Sequence, residues 1–439
     1  MLLTSAELAD VPEGVLLQWI PAPSSEGIIV PEAPPTFNQL NHTGTAREHG
    51  GWLCVLFDLP GAFDEMTLRD AYTSLLQRHD GLRSTVGFSG ISPQTRCHQG
   101  EFSWRRENHT LPGDLADRRH ALARIIDETT TARRFPAYLL GAIVGERVTV
   151  VVACDHAHVD AVSMALIVRD LAELYAARQS RRAADLPNTA GFLTYAAGAA
   201  KDTFDPSDPR LPQWHAFFDR HDRGLPRFAL LTNPSDNTSD STVELRQVLT
   251  AAQTQAVAQH ARNHGAGMLA TLLCASAEAA VAMGGPDTFE TLVPVTTRTE
   301  PRWRDTIGWM VTNGPVAIEV GATTAQTLTA AQRQVETAIE LGRMPLADVI
   351  GSYAPGFSAT GDVTMVSYLD YRRIDGHHLH DQLRAQQLSA SSPATDVQTW
   401  WVRNEDGLAL RCRFPGTHEA ASVVPQWLDH TCERLAQWC

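Results

Sequence analysis

A mixed α/β fold in two lobes is what this sequence predicts, on three observations. The chain has 439 residues, too many for one ordinary core and suited to two domains. Its first 175 residues alternate apolar strand-like runs with runs of helical period. A charged, proline-bearing stretch then intervenes, and the same mixture resumes after it. The expected boundaries are a first lobe over 1–177, a crossover linker over 178–212 and a second lobe over 213–439.

The elements follow in order. GWLCVLFDLP (51–60) reads as a strand. MTLRDAYTSLLQRH (66–79) reads as a helix, because Leu68, Ala71, Tyr72 and Leu75 recur on one face. AYLLGAIV and RVTVVVAC are apolar runs joined at Gly145-Glu146, a glycine-first hairpin signal. DAVSMALIVRDLAELY places Met164, Ile167, Val168, Leu171, Leu174 and Tyr175 at helical spacing. In the second half, TQAVAQHARNHGAGMLATLLCASAEAAVAM reads as one or two helices. FETLVPVTT, GPVAIEV, MVSYLD and GLALRCRF read as strands, and a helix near PQWLDHTCERLAQW closes the chain.

Composition excludes several functions. Apolar residues make up 43%, enough for a sizeable core, and 36 basic against 50 acidic residues leave a formal charge of −14. A nucleic-acid binder needs a basic footprint, and this chain lacks one. No stretch reaches the roughly 20 apolar residues of a membrane span. The start, MLLTSAELADVPEG, lacks the basic and long apolar regions of a secretory signal. Seven cysteines without a CxxC pair read as reduced thiols in a cytoplasmic protein. No glycine-rich phosphate loop is present.

The stretch VTVVVACDHAHVDAVSM (148–164) concentrates the chemistry. Asp155, His156, His158 and Asp160 fall where an apolar strand ends and a helix begins, a place from which backbone geometry can aim a side chain. The pattern His156-x-x-x-Asp160 is weak by itself, since His215/Asp219 and His377/Asp381 repeat it. Asp160 fits an N-cap for the helix starting at Ala161. His158 fits a bystander or a cleft-lining residue. HAHVDA is also one residue short of HxHxDH, the ligand run of metallo-β-lactamase-like hydrolases. Its last histidine is Ala161 here, and His377, His378, His380 and His418 have no spacing that completes such a site. No metal is therefore expected.

Two distant segments add context. LLQRHDGLRSTV (75–86), DHAHVDAVS and IGWMVTNGPVAI (307–318) together resemble the motifs of the condensation-domain superfamily of acyltransferases, RHxxLRxxF, HHxxxDGxS and (V/I)GxFVNT. Arg78, His79, Leu82 and Arg83 match the first. His156, Asp160 and Ser163 match the second, and Ile307 and Gly308 the third, with Thr312-Asn313 where the family has Asn-Thr. PTFNQ (35–39), QWHAFFDR (213–220) and MPL (344–346) echo further motifs, so the resemblance spans nearly the whole chain. Polyketide-associated acyltransferases and single-module condensation enzymes are the most similar members. Asp155 replaces the first histidine, Ala161 replaces the glycine, and no DFGWG-like motif occurs.

The resemblance implies two chloramphenicol-acetyltransferase-like lobes forming a pseudo-dimer, with a channel between them. It implies His156 as general base, taking a proton from a hydroxyl or amine that attacks a thioester; an imidazole of pKa about 6.5 suits that task. Asp160 becomes a structural residue paired with Arg83, or second with Arg78, and Asp155 a further support. Ser163, Thr312, Asn313 and His158 become candidate substrate or oxyanion contacts. No bound cofactor is implied: the donor is a carrier-protein phosphopantetheine thioester or acyl-coenzyme A, and the acceptor a small alcohol or amine. The expected setting is natural-product or complex-lipid assembly, by a monomer. Two alternatives stay open: a non-catalytic docking or scaffold protein that kept the fold, and a metal-dependent hydrolase using HxHxD.

Overall fold

The structure is a computed structural model and describes residues 1–44, 51–59, 61–232, 240–354, 356–358, 361–390 and 392–439. It divides into two compact units. The first comprises Met1–Asp202, Arg298–Met310 and Tyr371–Ser391; the second comprises Thr203–Thr297, Val311–Asp370 and Ser392–Cys439. The stretch 178–212 thus changes unit after Asp202, and two later segments of the chain return to the first unit.

The first unit is built on a seven-stranded sheet. From one edge its strands are Leu2–Leu3, Gln386–Ser389, Trp52–Asp58, Val148–Asp155, Tyr138–Val144, Val15–Pro23 and Phe102–Thr110. All neighbours pair antiparallel except the parallel edge pair Leu2–Leu3 with Gln386–Ser389. Val148–Asp155 is the middle strand and is buried from Thr149 to Asp155, with an apolar run over Val150–Cys154. Ile125, Ile126 and Leu122 of helix Leu115–Thr129 pack with Trp52, Cys54, Val151 and Ala153. Helices Glu65–Arg78 and Ala161–Gln179 pack together, the second also against Trp52–Asp58. Tyr72 is buried and donates from its hydroxyl to the Gly141 carbonyl at 2.7 Å, which ties the first of these helices to the sheet. A small sheet of Ile28–Ile29, Ser92–Cys97 and Ser84–Ser89 completes the unit.

The expected hairpin forms between Tyr138–Val144 and Val148–Asp155. Val144 faces Val148, so three residues, Gly145–Arg147, make the turn rather than two. The strand expected at 51–60 runs over Trp52–Asp58, and Pro60 lies outside the described residues.

The second unit is a six-stranded sheet in the order Ser241–Thr250, Gly407–Pro415, Gln398–Arg403, Met365–Asp370, Thr288–Thr296 and Val311–Glu319. Its core joins Trp401 and Leu410 of the sheet to Trp427 of helix His418–Ala436 and to the alanine-rich helix Met268–Ala282. The buried Trp427 satisfies its indole N–H on the Ser276 carbonyl at 3.0 Å. Residues 251–282 form two helices, Ala251–Asn263 and Met268–Ala282, separated by a turn in which Gly265 takes φ +70°. Among the described residues no single helix is long and apolar enough to cross a membrane.

Candidate active site

The strand Val148–Asp155 ends in a single 3₁₀ turn, His156–His158, and the helix Ala161–Gln179 starts three residues later. Each residue of that junction is held by a separate bond. The His156 N–H extends the sheet by donating to the Gly51 carbonyl at 2.7 Å. Asp155 caps the turn: Oδ1 accepts from the Ala157 N–H at 2.8 Å and Oδ2 from the Ala132 N–H at 3.0 Å. Gln39, buried in helix Phe37–Gly44, donates from Nε2 to the Ala157 carbonyl at 3.0 Å. The PTFNQ segment therefore contributes its glutamine to the base of the turn.

Asp160 is both cap and anchor. Its Oδ1 accepts from the Ser163 N–H and the Ser163 hydroxyl, each at 2.8 Å. Arg298 grips both oxygens, Nη1 to Oδ2 at 2.6 Å and Nη2 to Oδ1 at 2.9 Å, and the Met310 N–H adds a bond to Oδ2 at 3.0 Å. Burial opposes ionisation of this carboxyl. The Arg298 charge and hydrogen bonds, followed by those of Ser163, outweigh it and hold the group below the usual carboxylate range. The partner expected from sequence, Arg83, is not there: it donates to the His98 carbonyl at 3.2 Å. Arg78 is not the partner either. Its Nε donates to Asp170 at 2.8 Å, and His79 Nε2 meets the same Oδ2 at 2.9 Å. The RHxxLR segment thus braces helix Ala161–Gln179 at Asp170 rather than at Asp160.

The frame around Asp160 also locks the segment that carries the third motif. Ser163 Oγ receives the Gly308 N–H at 3.1 Å and lies 3.0 Å from the Gly308 carbonyl. With Met310 bonded to Asp160, residues 308–310 are clamped, and Trp309 is laid over the His156 ring with centroids 4.1 Å apart. His156 is half-buried. Its Nδ1 is buried, with no hydrogen-bond partner among the described residues. Burial, followed by the nearby His42, pushes this imidazole below its ordinary value, against smaller pulls from its own carbonyl, Asp160 and Asp155. Both effects favour the neutral form of the ring.

Two of the candidate contacts are buried in the structure. Ser163 is fully buried and already bonded to Asp160 and to Gly308, so it clamps the frame and is not exposed to a substrate. His158 is 2% exposed, with Nδ1 3.2 Å from the Gly81 carbonyl. It is a core histidine that ties the 3₁₀ turn to the RHxxLR segment. Thr312 and Asn313 lie half-buried on strand Val311–Glu319 of the second unit, opposite Val295 and Pro294. Among the described residues no three His, Cys, Asp or Glu side chains are grouped so as to hold a metal ion. His156 and His158 belong to different environments, one against Trp309 and the other against Gly81.

Besides Arg298, a second residue of the site has no place in the sequence reading. His42, one turn along from Gln39, places Nε2 3.1 Å from Asp155 Oδ1, and its ring lies 6.3 Å from that of His156. Burial would raise the Asp155 carboxyl. The hydrogen bond and charge of His42 reverse this and hold it below the usual range. The only signal in the sequence is that His42 and Gln39 are spaced three apart and so share a helix face.

Comparison with known proteins identifies the family and the fold. The family model for the condensation domain matches residues 52–361. The acyltransferase PapA3 of Mycobacterium tuberculosis is 21% identical over 421 residues, covering 91% of this chain and 88% of the relative. Among solved structures, the PapA2 acyl transferase superposes with a TM-score of 0.90 at 18% identity, covering 100% of this chain and 99% of that one. The epimerization domain from the third module of tyrocidine synthetase B gives 0.70 at 16% identity, over 94% and 98%. With its two mixed α/β units and its junction of strand, turn and helix around His156, the chain belongs to the condensation-domain family of acyltransferases.

Proposed function

We propose that this protein moves an acyl group from a thioester, carried on phosphopantetheine or coenzyme A, to a hydroxyl or amine acceptor, with His156 as general base. The observation that carries the reading is the placement of His156: a half-buried imidazole at a strand end, beside a frame in which Asp160 is bonded to Arg298 and Ser163 to Gly308. With Nδ1 buried, Nε2 is the nitrogen that takes the acceptor's proton. The acceptor oxygen or nitrogen bonds to the thioester carbonyl carbon as its proton passes to His156. The tetrahedral oxyanion then collapses, the carbon–sulfur bond breaks, and the imidazolium returns the proton to the departing thiolate. No residue of the protein is acylated, and no bound cofactor enters the balance.

Trp309 supports the same reading. An aromatic face 4.1 Å from the imidazole fixes its plane and favours the cation formed when the proton arrives. The test uses octanoyl-coenzyme A and an octanoyl-loaded carrier protein as donors against a panel of alcohols and amines, read by intact mass. Transfer by the wild type that His156→Ala abolishes supports the proposal; equal transfer by both sinks it.

A further inference from the structure

The family motif begins with two adjacent histidines, and this chain has Asp155 in the first position. The structure shows what accompanies that change. Helix Phe37–Gly44 brings His42 to Asp155, Nε2 to Oδ1 at 3.1 Å. The pocket for its ring depends on Gly51: a Cβ there would stand 2.4 Å from His42 Cε1. Gly51 is also the residue whose carbonyl receives the His156 N–H. Trp309 then touches both imidazoles, lying over His156 and edge-on to His42 with centroids 5.8 Å apart. One side chain, one missing Cβ and one indole thus converge on the His156 end of the strand.

We propose that His42 is a positioning residue that takes the place of the missing first histidine, fixing through Asp155 the strand end from which His156 projects. This rests on the reading of His156 as the general base. A consequence separates it from a merely structural bond. Two imidazoles about 6 Å apart repel when both are protonated, so charge on His42 disfavours charge on His156. His156 is faced by His42 from helix Phe37–Gly44, by Asp155 from its own strand, and by Asp160 with Arg298 bonded to it. His158 lies in the same turn, and Arg133 bonds the Thr43 carbonyl beside His42. Of these, His42 is the one whose ring packs against the same Trp309 indole as His156. A charged His42 holds His156 neutral to lower pH, so removing it raises the pH at which His156 takes up a proton.

The test needs no substrate. Full-length protein labelled at histidine Cε1 is titrated by NMR, with the His156 resonance assigned by its loss in His156→Ala. In His42→Gln, which keeps an N–H donor for Asp155, the His156 midpoint is expected to rise by on the order of one pH unit. Gly51→Ala, which crowds His42 out of its pocket, is expected to move it the same way and serves if His42→Gln fails to fold. Superimposable His156 titrations in wild type and variant would overturn the proposal. Failure of the general-base reading looks different: His156→Ala would keep transferring octanoyl groups while the NMR coupling persisted.

Discussion

Asp160 and Arg298 meet through two parallel bonds, both carboxylate oxygens facing guanidinium nitrogens at 2.6 and 2.9 Å, with side chains 4% and 6% exposed. The pair spans 138 residues of sequence and joins the cap of the helix behind His156 to the segment Arg298–Met310. Stripping one partner from such a buried pair typically costs about 3–5 kcal/mol. Arg298→Ala is expected to fall in that range by urea denaturation. Arg83→Ala, which removes one bond to a carbonyl, should cost about 1 kcal/mol. Equal losses would mean that Arg83 shares the anchoring of Asp160.

Glycine 308 carries a second prediction. A Cβ at this position would stand 2.0 Å from Phe192 Cδ2, inside the packing of the first unit, while its N–H and carbonyl both face Ser163. Gly308→Ala should therefore displace Phe192 or the Trp309 segment. The expected cost is about 1–3 kcal/mol of stability, with loss of the Trp309 contact on His156, read as a changed tryptophan fluorescence. Wild-type stability and fluorescence would show that the segment gives way freely.

Acid should unfold this protein in two stages. Burial lowers the affinity of His79, His156 and His158 for protons below that of free histidine. Their neutral forms favour the folded state; that contribution is whole above about pH 6.5 and is lost as pH falls below it toward the lowered folded values. Asp155, Asp160 and Asp170 have depressed values, so their contribution is whole above about pH 4 and is lost as pH falls through those values. Tm is expected to decline first between pH 6.5 and 5 and then steeply below pH 4. A Tm flat from pH 7 to 5 would contradict the histidine part.

Much of the first unit was legible because its central strands and helices are buried on one or both faces, and burial writes a period into the sequence. Val148–Asp155 and Ala161–Gln179 are of this kind. Phe102–Thr110 was not legible: it is an edge strand of mostly polar residues, half of them exposed. The return of Arg298–Met310 to the first unit was also hidden, since no local pattern reports a contact made 138 residues away. This is why the motif led to His156 and Asp160 but paired Asp160 with Arg83, the nearest arginine that a motif supplied. The burial of His158 was hidden for a related reason. A histidine beside a charged turn looks exposed in sequence, and only the fold shows the Gly81 carbonyl against it.

The measurement that tests the account most directly compares wild type with His156→Ala in octanoyl transfer, alongside their urea denaturation. The account predicts a loss of transfer of at least about 100-fold, the scale of general-base catalysis, with unfolding free energies within about 1 kcal/mol, since His156 Nδ1 makes no bond to lose. Transfer kept within a few-fold, or lost only together with folding, would contradict it and return His156 to the core.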